Sequence, residues 1–319
     1  MTRYKLATRY SLLATRYSSL NTSLYYSKLL LFGEHTVVKG SRALAVPYPR
    51  YGAKWSFEDG KNQPESNEAL AAFQTHLAGR EGLLCQLDLE KFAMDLTDGI
   101  WLDSDIPTGY GLGSSGSVCA AVYDRYGVDK LEGKNVGELA QLKAIFAQLE
   151  SYFHGASSGT DPLICYTNKA LIMSKKGLHT VSIPHSNEGK GGVFLLNTHI
   201  SRSTEPFVNL FLEKCKNPEF EHKISTELVH YSDACIEAFL QQYENVLIQN
   251  LQKLSEFQYQ YFQEMIPENF RKIWSQGLTS GDYTLKLCGA GGGGFMLGFT
   301  EDFEQVNLQD IEIVFNENQ

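Results

Sequence analysis

No stretch of this chain comes near the roughly twenty consecutive apolar residues that a transmembrane helix needs, so a spanning helix is not its organising element. A polybasic patch is also missing. The formal charge of -9 speaks against broad affinity for nucleic acid or an anionic membrane, although it is compatible with a local positive site for a nucleotide. Cys85, Cys119, Cys165, Cys215, Cys235 and Cys288 lie far apart, with no Cys-x-x-Cys pair and no Cys/His cluster at metal-ligand spacing. That excludes a zinc module and a disulfide scaffold, and it predicts free thiols in a reducing, cytoplasmic setting. What remains is a chain of 319 residues, 43% apolar and 20% charged, long enough for two globular domains.

Acidic residues are absent before Glu34, and the same region holds a verbatim duplication: Leu6-Ala-Thr-Arg-Tyr-Ser11 recurs as Leu13-Ala-Thr-Arg-Tyr-Ser18. An organellar transit segment, a heptad partner helix and a repetitive stretch translated ahead of the true start all fit. Selection for amphipathicity alone poorly explains an identical repeat, which favours the last. Residues 1–22 are therefore read as an extension outside the chemistry. Losing Arg3, Lys5, Arg9 and Arg16 with them takes the net charge from -9 to -13. A protein of residues 23–319 is expected to fold and act like the full chain; loss of either property on truncation would contradict this.

The most telling segment is Pro107-Thr-Gly-Tyr-Gly-Leu-Gly-Ser-Ser-Gly-Ser117, followed by the small, apolar Val-Cys-Ala-Ala-Val122. Glycines 109, 111, 113 and 116 permit positive φ and close backbone approach, and the run that follows offers a helix N-terminus to an anion. Other glycine-rich loops have requirements this one fails. A Walker A loop needs Gly-Lys-Ser/Thr, and no lysine lies between 105 and 129. A nucleophile elbow needs Gly where Ser117 stands. Gly111-x-Gly113-x-x-Gly116 satisfies the dinucleotide pattern, but polar Asp103-Ser-Asp-Ile-Pro107 precedes it instead of an apolar strand. A plain Gly/Ser connector is the remaining alternative.

Along the chain, Leu24–Val38 and Ala43–Val46 read as strand, turn, strand, and residues 67–81 and 134–153 carry helical periodicity. Residues 170–183 alternate as a hairpin around Lys175-Lys-Gly177, and Val193–Leu196 starts a further strand. Helical patterns at 225–247 and 249–265 lead to Tyr283–Leu287, a second glycine run, and Phe295–Phe299. Strands and helices mix without βαβ alternation, which predicts an α+β fold. Glu188–Gly192 is a plausible boundary, giving an N-terminal domain of 23–188 and a C-terminal domain of 189–319.

Phosphoryl transfer needs cations or dipoles on the phosphates, a ligand for Mg²⁺, and a group for the attacking hydroxyl. Lys28, Ser114, Ser115, Glu150 and Asp161 supply candidates. Each has an ordinary alternative: Lys28 and Glu150 as surface charges, Ser115 as a helix cap, Asp161 before Pro162 as a turn, His35 as a turn histidine, Gly289–Gly294 as a tight hairpin.

Four segments in order, Tyr26-Ser-Lys-Leu-Leu-Leu-Phe-Gly-Glu-His-Thr-Val-Val38, Pro107–Ser117, Glu150–Asp161 and Lys286-Leu-Cys-Gly-Ala-Gly-Gly-Gly-Gly294, resemble the motifs of the GHMP small-molecule kinases. Asn197–Thr204 is similar to a further Arg-x-Thr segment of that family. The resemblance covers residues 26 to about 300. It implies a two-domain fold, with an N-terminal ribosomal-protein-S5-like nucleotide domain and a C-terminal ferredoxin-like α/β-plait domain. It also implies ATP and Mg²⁺ as cofactors and a small hydroxy acid as acceptor.

Carried over residue by residue, Asp161 would orient or deprotonate the acceptor hydroxyl, with Lys28 close enough to keep it ionised. Ser115 and Glu150 would hold Mg²⁺. Gly111, Leu112, Gly113, Ser114, Ser115 and Gly116 would cradle the phosphates, and Glu34, His35, Arg202 and Thr204 would line the acceptor pocket, Arg202 suiting a carboxylate. The chain departs from the family pattern at Ser27 for glycine, Ser157 for proline, and Gly116-Ser117 for Ala-Ala. These leave the reacting groups in place but bear on the acceptor, because loop shape governs how it sits. A regulator that binds nucleotide without turnover stays open, as does a homodimer.

Overall fold

The computed structural model describes residues 23–57, 64–184, 190–202 and 205–315. The repetitive extension 1–22 and Thr204 lie outside the described residues. Two compact units divide the chain: one comprises 1–27, 49–106 and 113–168, the other 28–48, 107–112 and 169–319. The first glycine loop therefore contributes residues to both. No helix among the described residues is long and apolar enough to cross a membrane, and all six cysteines are free thiols.

Strand β1 is Tyr25–Phe32 and β2 is Ala43–Phe57. The strand expected at Ala43–Val46 thus continues through Pro47, Pro49 and Gly52, residues that usually interrupt strands. In the first unit the second half of β2 pairs antiparallel with β3, Ile100–Ser104, from Ala53 opposite Ser104 to Phe57 opposite Ile100. Among the described residues this unit also holds the helices α1 Pro64–Ala78, α2 Leu89–Thr97, α3 Ser114–Tyr126, α4 Val136–His154 and α5 Thr160–Thr167. Its core gathers Trp55, Phe92 and Tyr126 in mutual ring contact, with Tyr123 edge-on to Phe146. The Trp55 indole N–H donates to the Ala121 carbonyl at 3.2 Å.

Helix α4 has the periodicity its sequence shows, with Leu139, Leu142, Ile145, Phe146 and Leu149 buried on one face. Asn135 caps it by accepting from the Glu138 N–H, and Glu138 reaches back to the Lys134 N–H at 3.0 Å, a reciprocal arrangement of the capping-box kind. Helix α3 is short-chained for a different reason. Cys119, Ala120, Ala121 and Val122 are all fully buried, so neighbouring elements approach its axis closely.

In the second unit the first half of β2 pairs with β4, Ala170–Ser174, and β4 forms the expected hairpin with β5, Gly177–Val181. A separate antiparallel sheet has the order β7-β8-β6-β9, formed by β6 Gly192–Asn197, β7 Thr284–Leu287, β8 Phe295–Thr300 and β9 Ile311–Phe315. Its helices are α6 Glu205–Lys214, α7 Pro218–Lys223, α8 Val229–Gln241, α9 Glu244–Tyr261 and α10 Glu268–Ser280. A π-helical turn at Ile224–Leu228 joins α7 to α8. The helical pattern over 225–247 breaks at Gln242, not after 247: this residue adopts φ 58°, and its N–H closes onto Ala238 and Phe239. Trp274 is fully buried and donates to Ser255 Oγ at 2.8 Å. Every strand pairing described is antiparallel, as an α+β chain without βαβ units requires.

Candidate active site

In the first unit three helix ends bring candidate residues together. Gly113 is the left-handed N-cap of α3, and the amides of Ser114, Ser115 and Gly116 occupy the first turn, where a helix leaves its N–H groups without internal partners. Asp161 lies in the first turn of α5, not in an isolated turn, and Pro162 beside it is tolerated at that position. The two helix starts abut. A Cβ on Gly116 would stand 2.9 Å from the Pro162 nitrogen and 3.0 Å from the Asp161 carbonyl carbon, so the departure from alanine here matches a close approach of α5.

Glu150, on the last turn of α4, is 5% exposed. Ser115 Oγ donates to Glu150 Oε1 at 3.0 Å, so the two residues assigned to Mg²⁺ touch directly. Ser157 Oγ donates to Glu150 Oε2. His154 Nε2 is 3.0 Å from Ser115 Oγ. The serine has one proton and gives it to the carboxylate, so His154 must donate from Nε2 to complete the set. The sequence motifs give neither His154 nor Ser157 a role. The available signal was the i, i+4 spacing of Glu150 and His154, which puts both on one helix face.

Two oxygen donors in contact at a helix N-terminus suit a hard divalent cation that takes its other ligands from phosphate and water. Among the described residues no group of three His, Cys, Asp or Glu side chains could hold a metal alone.

The second unit holds a separate set of candidate residues. Lys28, in β1, is buried, and its backbone N–H donates to the Leu112 carbonyl at 3.0 Å, fixing the 107–112 segment against the strand. Glu34 follows Gly33 at the end of β1. Its Oε1 accepts from Lys286 Nζ and from Gln258 Nε2, each at 2.8 Å. Gln258 Oε1 accepts the Leu287 N–H at 2.8 Å, and Lys286 Nζ also donates to the Leu287 carbonyl at 2.7 Å. Lys286 is fully buried. Burial pushes the Glu34 carboxyl up and the Lys286 ammonium opposes that rise.

His35 takes φ 64° and sits between the rings of Phe211 and Phe262, with centroids 5.0 and 4.9 Å away. Burial lowers its pKa to about 4, aided by the positive charges of Lys286 and Arg202 and opposed by the Ala290 backbone. Glu34 Oε2 and both His35 ring nitrogens are buried without a well-formed hydrogen bond among the described residues.

The depressed value of His35 carries a pH consequence. Above pH 6.5 the imidazole is neutral in both folded and unfolded chains. As pH falls from 6.5 to about 4 the unfolded chain takes up a proton that the folded one refuses, and stability is lost; below about 4 the effect levels off. The loss is of order 3 kcal/mol. Glu34, with its raised value, contributes the opposite slope above its unfolded pKa. Comparison of His35→Gln with wild type therefore isolates the histidine. Thermal unfolding between pH 7 and 4 is expected to show a shallower loss in the variant, and identical slopes would remove His35 from this account.

Arg202 is tied to the glycine segments. Its backbone N–H donates to the Gly109 carbonyl at 3.2 Å, its Nε to Gly293 at 3.2 Å and its Nη2 to Cys288 at 3.1 Å. Thr198 Oγ1 donates to the Gly294 carbonyl, and the Gly294 N–H returns to Ile200. Thr198–Arg202 thus knits residues 107–112 to the second glycine run. That run also makes the β7–β8 connection, so the hairpin geometry and a place beside Arg202 are both present.

A helix N-terminus with paired serine and glutamate, in an antiparallel α+β chain, is the arrangement to set beside known proteins. Residues 70–169 match the family model described as the GHMP kinases N terminal domain. Among characterised relatives it is 25% identical to the mevalonate kinase of Dictyostelium discoideum, over 69% of this chain and 62% of that protein. The chain thus matches less than two thirds of the relative's length. The structure of L. major mevalonate kinase in complex with R-mevalonate superposes with a TM-score of 0.60 at 19% identity, covering 90% of each chain. Streptococcus pneumoniae phosphomevalonate kinase, solved with phosphomevalonate and AMPPNP, gives 0.56 at 15% identity, covering 93% of this chain and 99% of its own. At these identities the structural likeness is one of fold.

Proposed function

We propose that this chain is an ATP- and Mg²⁺-dependent kinase that phosphorylates the primary hydroxyl of mevalonate to give 5-phosphomevalonate. The observation that carries the reading is the direct Ser115–Glu150 contact at the α3 N-terminus, with the start of α5, and hence Asp161, packed on the same turn. The likeness to a mevalonate kinase supports the acceptor. Six free thiols support a cytoplasmic location, and the product assigns the chain to isoprenoid biosynthesis.

The residues take their roles from their chemistry. The amides of 111–116 and the hydroxyl of Ser114 receive the β- and γ-phosphates. Ser115 and Glu150 would hold Mg²⁺, which when bound neutralises charge on the phosphates. Asp161 orients the acceptor hydroxyl and receives its proton as the oxygen bonds to the γ-phosphorus; the bond to the β–γ bridging oxygen breaks, and ADP leaves. Lys28 steadies the transferring group. Glu34 and His35 present buried, unsatisfied polar atoms, as a pocket for a polar acceptor would. Arg202, already bonded to the second glycine run, supports the acceptor carboxylate and the loop together, and Thr204 is assigned to the same pocket.

A shared fold with phosphomevalonate kinase makes that acceptor the alternative to exclude. Purified protein offered mevalonate, phosphomevalonate and hexoses with Mg·ATP decides it. Mevalonate is expected to be the preferred acceptor; transfer to another alcohol alone overturns the acceptor, and nucleotide binding without transfer to any favours a regulator.

A further inference from the structure

We infer that Ser157 is a positioning residue for Glu150, doing through its hydroxyl what the commoner proline at this place in the family pattern has no group to do. The inference deepens the metal role proposed for Ser115 and Glu150 and rests on it.

Glu150 has two oxygens and each receives a serine hydroxyl, Ser115 on Oε1 and Ser157 on Oε2. The direction of the second bond is fixed by a third. The Gly159 N–H donates to Ser157 Oγ at 2.9 Å, which occupies a lone pair and leaves the hydroxyl proton for the carboxylate. A carboxylate on a glutamate stem rotates about its last bond over a broad range. Held at both oxygens, it keeps Oε1 toward Ser115.

The same chain of bonds runs on to the start of α5. Gly159 is the N-cap of that helix, with φ 70°, and a Cβ there would lie 2.0 Å from the Lys143 carbonyl, so its place is fixed by α4. Asp161 is two residues further. The five-residue link between α4 and α5 therefore couples the orientation of Glu150 to the turn that carries Asp161, and Ser157 is its midpoint.

A simpler role exists. A serine that accepts the N–H two residues on is a common local turn, and it would leave Glu150 indifferent to the hydroxyl. Ser157→Ala, Ser157→Thr and Ser157→Pro separate the two roles when read by Mn²⁺ affinity in the presence of saturating AMPPNP, measured by electron paramagnetic resonance, alongside thermal midpoints and the Mg²⁺ dependence of ADP release.

Outer-layer partners of metal ligands typically change affinity by about 10- to 100-fold, and Ser157→Ala is expected at the low end, about 10-fold weaker for Mn²⁺, with kcat at saturating metal changed much less. Ser157→Thr restores binding. Ser157→Pro, which lacks the hydroxyl, stays weak; recovery in the proline variant would show that loop stiffness alone matters and overturn the inference. So would a Ser157→Ala protein that loses thermal stability but binds Mn²⁺ as wild type does. If wild type itself binds no metal with nucleotide, the metal reading of Ser115 and Glu150 fails, and the role of Ser157 falls with it.

Discussion

Asp161→Ala is expected to lower kcat for ADP formation by about 10³-fold while ATP binding is largely kept, within the range that loss of a positioned acid or base produces. The aspartate stands in the first turn of α5, apart from the amides of 111–116 proposed to receive the phosphates, so nucleotide affinity is expected to survive loss of its carboxylate. A carboxylate there is also favourable to the helix dipole, so a small loss of stability accompanies the change, of order 0.5 kcal/mol. Asp161→Asn keeps the shape and removes the charge, and it is expected to be as inactive as the alanine variant. Lys28→Met should likewise depress the chemical step. Single-turnover measurements with bound Mg·ATP check all three, and unchanged turnover in Asp161→Ala would strike the residue from the mechanism.

The largest stability effect is expected from Lys286→Met. Lys286 is fully buried and its ammonium is 2.8 Å from Glu34 Oε1, so removing it leaves the Glu34 carboxyl without its counter-charge. Breaking one side of a buried pair costs about 3–5 kcal/mol, because the other charge stays out of water without its partner. A shift of that size lowers the thermal midpoint by roughly 10 °C in a protein of this length. Glu34→Gln in the same chain should recover much of the loss, since a neutral amide needs no counter-charge. Guanidinium unfolding of the two single variants and the double variant measures the coupling; strict additivity would show that the pair does not act as a unit.

Much of this was legible in the sequence because local rules govern it. The apolar positions of 136–154 repeat with the helical period, and the helix forms there. The glycine loop announces a helix N-terminus, and Ser115 lies in the first turn of that helix. The contact of Ser115 with Glu150 followed from motif order, since neither residue signals the other by spacing. Long-range partners left no trace. Nothing in the surroundings of Gln258 or Lys286 points to Glu34, because a buried polar network is closed by tertiary packing of elements remote in the chain. Chain order likewise does not display that residues 28–48 and 107–112 group with those beyond 168. The pattern over 225–247 divides between a π-helical turn, a helix that stops at Gln241 and the first turn of the next helix, because Gln242 adopts a left-handed conformation that its side chain does not advertise. Ser157 was visible as a substitution, and its meaning came only with the carboxylate it touches.

The central claim is acceptor-dependent phosphoryl transfer, and the direct test is ADP release by the wild-type protein with Mg·ATP as mevalonate is titrated. One ADP per mevalonate consumed is predicted, with the product identified as 5-phosphomevalonate. Nucleotide binding with no mevalonate-dependent ADP would contradict it.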